Sequence, residues 1–425
     1  MNNLLKKITI KVFGDIMIDQ WIIGKYTKKS QEAPINVFLE KKRKYNLGGV
    51  GNLIMNLNNL NIKFKLFSHV GHDKSGKKIE NILKKNNIKH QLKKTNQLTT
   101  IKTRFVNNNF KHFFRSDLEK VINLNQSDNF FTRKIQLNDF VVISDYGKGT
   151  INKKTINKII KKKCKIFVDP KNSPNYFKNV FLIKPNMIKF NEWYGKFTKK
   201  KAINAMKKMN WNWLVITDGD KGVHVFEKNG ENNFYKANKA KHPDVTGAGD
   251  IFFSALIYSY LVGYDIFTAS CLANNTSSKL VEKKGIQLVR KEDLKSKIIF
   301  TNGVFDTFHE GHKRLITFSK NLGNKLIVAI NSDKSVRKIK GKNRPYDKLK
   351  IRIKNLRKTK LVSKIVIFNH VTPFKLIKKI KPNLIVKGGD YKFNSVVGRN
   401  ISNTIIFPRI KNFSSSEIIK KVFRK

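Results

Sequence analysis

Two cysteines in 425 residues, Cys164 and Cys271, stand far apart in the chain. They can build neither a disulfide framework nor a cysteine metal site at ligand spacing, which fits a reducing, cytoplasmic setting. Long apolar runs are also missing. The least polar stretch, Ile251 to Phe267, is interrupted by Ser254, Tyr258, Ser259, Tyr260 and Asp265 and is shorter than a bilayer requires. It reads as a buried helix. No secretory signal is expected, because Met1–Lys7 leads into a short strand-like run, Ile8–Phe13, and then into polar and acidic residues. Acidic residues are scarce, with 29 Asp and Glu against 88 Lys and Arg, a formal charge of +59. Such a charge ordinarily points to nucleic acid. Here Lys is spread along the whole chain and far outnumbers Arg. Base and phosphate recognition favours clustered Arg among aromatics instead. The charge therefore reads as a solvated surface with salt-dependent, non-specific anion binding. No specific nucleic-acid partner and no membrane are expected.

What is present is a rhythm. Hydrophobic residues make up 40% of the chain, enough to bury real cores. Short apolar runs at Ile8–Phe13, Phe140–Ile143, Ile166–Asp169, Phe181–Lys184 and Leu214–Thr217 alternate with stretches of helical length. A second series follows at Ile298–Thr301, Leu326–Ile330, Ile365–Phe368, Leu384–Lys387 and Thr404–Phe407. This alternation argues for two α/β domains with mostly parallel sheets. The charged stretch Arg290–Lys297 separates them, giving domains over 1–289 and 290–425.

The sharpest string in the first domain is Asp244-Val245-Thr246-Gly247-Ala248-Gly249-Asp250, followed by an apolar helix. Gly247 and Gly249 permit a tight turn with backbone N–H groups facing outward around Ala248. A helix starting there makes an anion hole. Asp250, at the end of the turn, can accept a proton from an attacking hydroxyl. Base and anion hole together are what phosphoryl transfer needs. The bland alternative is a glycine turn capping a helix.

The string resembles the signature of the ribokinase-like (PfkB) sugar kinases, and other segments agree in order. The resemblance implies that Asp15, Asp19, Gly48, Gly49 and Asn52 face the sugar. It implies sugar contacts also for Asp145, in Ser144-Asp145-Tyr146-Gly147-Lys148-Gly149, and for Lys171, in Asp169-Pro170-Lys171. Both segments end strands, where ligands of open α/β sheets gather. Lys102, Arg104 and Arg115 are candidates for a phosphate already on the sugar. Thr217-Asp218-Gly219-Asp220-Lys221-Gly222 resembles the nucleotide loop, with Thr217, Gly219 and Gly222 as its contacts. Asn274 is expected beside the adenine. Asn186, Met187, Ile188 and Lys189 occupy the segment where such kinases carry Asn-x-x-Glu. Lys189 replaces the Glu, with Glu192 three residues on. A cation there neutralises phosphate but cannot hold a metal's water shell, so an impaired kinase half is an open alternative.

The second domain opens with a strand running into Asn302-Gly303-Val304-Phe305-Asp306-Thr307-Phe308-His309-Glu310-Gly311-His312. Two imidazoles three apart at a helix start can reach one phosphate. They could also ligate a metal, but no third ligand or Cys accompanies them, and no direct metal ligand is assigned. The string resembles the HxGH signature of cytidylyltransferase-like nucleotidyltransferases. That implies His309 and His312 stabilise charge on an α-phosphate. It implies nucleotide contacts for Gly303, Phe305, Asn331, Asp333, Arg344, Lys387 and Asp390. Ser414, Ser415 and Ser416 would hold the outer phosphates at a helix start.

Kinase followed by nucleotidyltransferase covers essentially the whole chain. The order is similar to the bifunctional heptose-7-phosphate kinase/heptose-1-phosphate adenylyltransferases of lipopolysaccharide core synthesis. This resemblance implies ATP and Mg²⁺, heptose phosphates as substrates, ADP-heptose as product, and self-association as a homodimer. Another sugar kinase joined to a cytidylyltransferase keeps the folds and changes the substrates.

Overall fold

The computed structural model describes residues 5, 8–121, 132, 134–238, 246–283, 285 and 287–408. The chain divides into two compact units, residues 1–290 and 291–425.

Among its described residues the N-terminal unit has thirteen strands. They are β1 (Ile10–Gly14), β2 (Ile16–Lys29), β3 (Asn36–Gly49), β4 (Phe64–Gly71), β5 (His90–Thr95), β6 (Ile101–Val106), β7 (His112–Leu118), β8 (Phe140–Ser144), β9 (Lys165–Asp169), β10 (Leu182–Ile183), β11 (Trp213–Thr217), β12 (Gly222–Glu227) and β13 (Asn232–Lys236). Nine form one sheet in the order β13-β12-β11-β10-β9-β8-β1-β4-β5. From β11 to β5 neighbours run parallel, and the β11-β12-β13 edge is antiparallel. Parallel strands buried on both faces read as continuous apolar runs, and those are the runs the sequence displays. Phe13 and Phe67 stack at 4.8 Å across β1 and β4. Because β1, β8, β9, β10 and β11 point the same way, the loops after them share one edge of the sheet.

β2, β3, β6 and β7 form a separate four-stranded sheet in the order β3-β2-β6-β7. The sequence reading did not find these strands. The outer halves of β2 and β3 are exposed and Lys-rich, and the apolar start of β2, Ile16–Ile23, is broken by Asp19 and Gln20. The expected single buried helix over Ile251–Phe267 is corrected to two. Helices α1 (Val50–Asn59), α2 (Lys74–Lys85), α3 (Lys153–Lys161), α4 (Met187–Tyr194) and α5 (Lys199–Met209) precede them. Then α6 (Ala248–Leu261) and α7 (Ile266–Leu280) pack together. Gly263 at φ +101° breaks the run. Asp265 then accepts from the Thr268 N–H at 2.8 Å and caps the new helix.

The C-terminal unit has β14 (Ser296–Gly303), β15 (Gly323–Asn331), β16 (Lys364–Phe368), β17 (Leu384–Gly388) and β18 (Asn403–Phe407). They form an all-parallel sheet in the order β16-β15-β14-β17-β18. Helices α8 (Glu310–Asn321), α9 (Asp333–Lys340), α10 (Leu349–Lys358) and α11 (Phe374–Ile380) connect them. Strand order reverses between β14 and β17, and such a switch point opens a crevice at the carboxyl ends of the strands.

Gly14 lets β1, β8 and α1 meet. A Cβ there would lie 2.3 Å from the Ser144 carbonyl oxygen and 2.8 Å from Val50 Cβ. Gly14→Ala is expected to destabilise the N-terminal unit by about 1–3 kcal/mol through overpacking. Urea unfolding followed on that unit's tryptophans checks this.

Candidate active sites

In the N-terminal unit the loops at the shared sheet edge converge on Asp250. Gly247 caps α6 at φ +75°, and Asp250 lies in the helix's first turn. A Cβ on Gly247 would meet nothing within 4 Å, so the turn is open beside the helix N-terminus. Asp244 and Val245 lie outside the described residues. Asp250 is only 5% exposed. Burial, and then the neighbouring charge of Asp169, push its carboxyl up to about 7. The Tyr146 hydroxyl, the Lys184 ammonium and the Asn52 side chain act the other way. Tyr146 Oη lies 3.1 Å from Asp250 Oδ1 and 3.2 Å from Oδ2. Lys184 pairs with Asp169 at 2.9 Å, and its Nζ lies 3.9 Å from where a Cβ on Gly249 would sit. A buried ammonium therefore stands at the glycine turn. Tyr146, Asp169 and Lys184 carry no assigned role in the sequence reading. Their signal was position alone, at the ends of β8, β9 and β10.

Two aspartates expected at the sugar also hold the loops. Asp15 accepts from the N–H groups of Tyr146, Lys148 and Thr150 at 2.9, 3.1 and 2.9 Å. Asp145 accepts from the N–H groups of Gly147, Lys171 and Asn172 at 2.9, 2.9 and 2.6 Å. Burial, above all, pushes the Asp145 carboxyl up to about 6. Gly49, at φ +61°, starts α1 with no room for a side chain, since a Cβ would lie 2.2 Å from the Asp15 carbonyl oxygen. That start places Asn52 against Asp250.

Asp19, Gly48 and Arg104 come together at the small sheet. Arg104 pairs with Asp19 at 2.7 Å, and a Cβ on Gly48 would lie 2.7 Å from the Asp19 carboxylate. Lys102 points the same way from β6, two residues earlier. Its ammonium lies 5.8 Å from the Tyr146 ring centre, and burial lowers its pKa. Arg115 is instead an exposed partner of Asp117 at 2.6 Å. Lys171 is exposed beside Gly147.

On the nucleotide side, Asn186 and Thr217 form a parallel bridge between neighbouring strand ends. The Asn186 side chain caps α4 by accepting from the Lys189 N–H at 2.7 Å. Lys189 pairs with Glu192 at 2.6 Å. Met187 packs against the core, whereas Ile188 is exposed. Gly219, at φ +53°, has open space where a Cβ would point, and Gly222 has none. Asn274 donates to the Lys236 carbonyl at 2.8 Å, which ties α7 to the end of β13.

In the C-terminal unit, Gly303 ends β14, and Phe305 and Thr307 adopt φ of +53° and +45° on the way to α8. His309 caps α8: its Nδ1 accepts from the Gly311 N–H at 3.1 Å. The His309 N–H lies 3.4 Å from His312 Nδ1 as a long return bond. The two rings stack at 3.9 Å, with Phe305 and Phe308 against His312. Burial first, then His309 and Lys340, depress the His312 pKa to about 3. Burial lowers that of His309 too. Both rings are therefore neutral near pH 7.

Across the switch point, Lys387 ends β17, and burial lowers its ammonium to about 8. Its Nζ donates to the Asn302 carbonyl at 3.3 Å and lies 4.2 Å from the Tyr391 ring centre. Asp390 and Arg344 both influence Lys340, whose pKa is lowered by burial. Arg344 pairs with the buried Asp306 at 2.9 Å. His312, Lys340, Arg344 and Lys387 thus collect positive and N–H character at one crevice. Asn331 and Asp333 are scaffold. Asn331 Nδ2 donates to Ser335 Oγ at 2.9 Å. Asp333 accepts from the fully buried Arg352 at 2.6 Å. Arg352 also donates to the Val304, Asn331 and Asp347 carbonyls at 2.8, 2.9 and 3.0 Å. Asp306 and Lys340 lie in strings that resemble the family but carry no role of their own in the sequence reading, and Arg352 lies in none. Ser414, Ser415 and Ser416 lie outside the described residues.

A buried aspartate at a helix N-terminus and an HxGH turn at a switch point fit a kinase joined to a nucleotidyltransferase. Comparison with known proteins agrees. Residues 7–293 match the pfkB family of carbohydrate kinases, and residues 300–421 match the cytidylyltransferase-like family. The chain belongs to the bifunctional HldE family. It is 32% identical to the bifunctional protein HldE of Nitratiruptor sp., covering 98% of this chain and 99% of that protein. It is 31% identical to the HldE of Campylobacter curvus, over 99% of each. The kinase fold is that of Escherichia coli phosphofructokinase-2 (TM-score 0.59, 14% identity, 68% of this chain and 96% of that one). Thermotoga maritima ribokinase is similar (TM-score 0.55, 17% identity, 68% of this chain and 98% of that one). Enzymes of these families use ATP and typically a divalent metal ion. No helix among the described residues is long and apolar enough to cross a membrane.

His312 gives the C-terminal unit a pH signature. Its pKa of about 3 in the fold lies below the ordinary 6.5, so the unfolded chain takes up the proton first. The stability this contributes is complete above pH 6.5 and is lost as pH falls toward 3. His312→Gln should flatten that part of the stability–pH curve. Chemical unfolding of both proteins between those limits checks it.

Proposed function

We propose that the N-terminal unit phosphorylates the anomeric hydroxyl of heptose 7-phosphate and that the C-terminal unit makes ADP-heptose from heptose 1-phosphate and ATP. The observation that carries the first half is Asp250, buried beside an open glycine turn with the Lys184 ammonium next to it. The sugar hydroxyl gives its proton to Asp250 as its oxygen attacks the γ-phosphorus, and ADP leaves. The N–H groups at the start of α6 and Lys184 take up the charge on the transferred group. Arg104 and Lys102 face the sugar's own phosphate, and Arg suits it by its planar fork. Mg²⁺ enters with ATP as part of the substrate.

In the second half an oxygen of heptose 1-phosphate attacks the α-phosphorus of ATP and pyrophosphate leaves. His309 and His312 donate N–H groups to the phosphate, while Lys340, Arg344 and Lys387 offset its charge. The two products are not consecutive, since the 7-phosphate must be removed by a phosphatase between them. The enzyme is proposed to be cytoplasmic and homodimeric. The small sheet, with Leu39, Phe114 and Leu118 exposed, supports a second copy as its cover.

A second reading has support of its own. Lys189 is held by Glu192, so the segment presents a neutralised pair rather than a free carboxylate. That favours a kinase half with altered or reduced activity.

Phosphorus NMR with Mg·ATP decides among these readings. A bisphosphate from heptose 7-phosphate and an ADP-sugar with pyrophosphate from heptose 1-phosphate support both halves. ADP-sugar alone supports the impaired kinase, and turnover with CTP but not ATP overturns the adenylyl assignment. Asp250→Asn should lower the kinase rate by about 10²–10⁴-fold and leave the adenylyltransferase intact. The base must be ionised to accept a proton, so kinase activity should rise with pH through about 7. A flat profile there would overturn Asp250 as the base.

A further inference from the structure

Asp250 is approached from four elements: Asn52 of α1, Tyr146 after β8, Asp169 at the end of β9 and Lys184 after β10. Asn52 is a neutral amide, and Lys184 is already committed to Asp169 at 2.9 Å. Tyr146 differs from the rest because its hydroxyl sits nearly midway between the two carboxylate oxygens, at 3.1 and 3.2 Å. A phenol has one proton, so it donates to one oxygen at a time; with the Asn52 amide also bonded to the carboxylate, lone pairs remain to accept.

The residue is fixed at both ends. Its backbone N–H donates to Asp15 at 2.9 Å, and its ring lies beneath the Lys102 ammonium at 5.8 Å. It therefore joins the small sheet, which carries Arg104 and Asp19, to the base itself.

We propose that Tyr146 is the positioning residue of the kinase base, holding the Asp250 carboxylate by its hydroxyl so that one oxygen faces the sugar hydroxyl. This rests on the reading of Asp250 as the base. Tyr146 does not take the sugar's proton. Burial and the negative charge of Asp250 push its own pKa well above the ordinary value, so it stays a donor. In the reaction the proton moves from the sugar hydroxyl to the Asp250 oxygen facing it, and the phenol keeps its own. A donor on an ionised carboxylate also stabilises the charged form. Tyr146 thus counters the burial that pushes Asp250 upward.

Tyr146→Phe removes only the hydroxyl. We expect kcat of the kinase to fall about tenfold or more, the size of losing one charge-assisted hydrogen bond. The KM for ATP should hold, and the acid limb of the kinase profile should move to higher pH. Carboxyl ¹³C NMR of aspartate-labelled full-length chain reads the same effect with no substrate. The resonance absent in Asp250→Asn should titrate at higher pH in Tyr146→Phe than in the unmodified chain. An unmoved titration, or an unmoved acid limb with kcat within twofold, overturns the proposal. Asp250→Asn retaining full kinase activity would overturn the base reading instead, and the NMR titration would still judge the Tyr146 contact.

Discussion

Holding one carboxylate in a nearly dry place shapes the N-terminal site. A buried Asp250 without partners would stay protonated and could not act as a base. The fold brings it a phenol, an amide and an ammonium from three separate elements, while Asp169 both opposes ionisation and anchors the ammonium. The loops bearing these groups would not hold their positions unaided. Asp15 and Asp145 gather six backbone N–H groups between them, and that network keeps Tyr146 and Asn172 where the sheet edge presents them. Two aspartates expected at the sugar thus also scaffold a third.

The C-terminal unit uses the same desolvation with the opposite sign. Its crevice collects His312, Lys340 and Lys387, and burial lowers the proton affinity of each. The neighbouring charge of Asp390 works the other way, raising the proton affinity of Lys340 and Lys387. Neutral rings can still donate N–H groups along the directions the α8 cap fixes. Arg352 makes this possible from below. Its guanidinium ties the strand ends at Val304 and Asn331 to the loop at Asp347, and its charge is met by Asp333. Removing one partner of such a buried pair is far more damaging than never having built it.

The legible part of this molecule was the part buried on both sides. Central strands such as β8 and β14 showed as apolar runs because helices cover both faces, and the glycine-bearing strings at their ends marked chemistry. The small sheet was illegible because one face of it meets solvent, and Lys25, Lys41 and Lys42 fill positions that would show alternation in a less biased chain. Met187, in a string expected to bind nucleotide, is half-buried and packs against the core, since Asn186 starts α4 there. The joined reading of α6 and α7 failed at one glycine whose backbone angle the sequence cannot display.

The charge bias that hides the surface sharpens the interior. Where Lys is spread over so much of the surface, an aspartate stands out as a place where negative charge has work in the fold. Asp15, Asp19, Asp145, Asp169, Asp250, Asp306 and Asp333 each meet a named donor, and all but Asp15 and Asp145 meet a charged or side-chain hydroxyl partner. Arginine behaves alike: Arg104, Arg344 and Arg352 are each paired to one of these acids, where a planar fork with several donors outperforms an ammonium. Arg43 and Arg314, exposed and paired within a turn or so of chain, mark the limit of that rule. In a chain of this composition, an aspartate together with a distant arginine identifies a site that no motif spells out. Arg352, the buried partner of Asp333, is the member of such a pair that no motif marks.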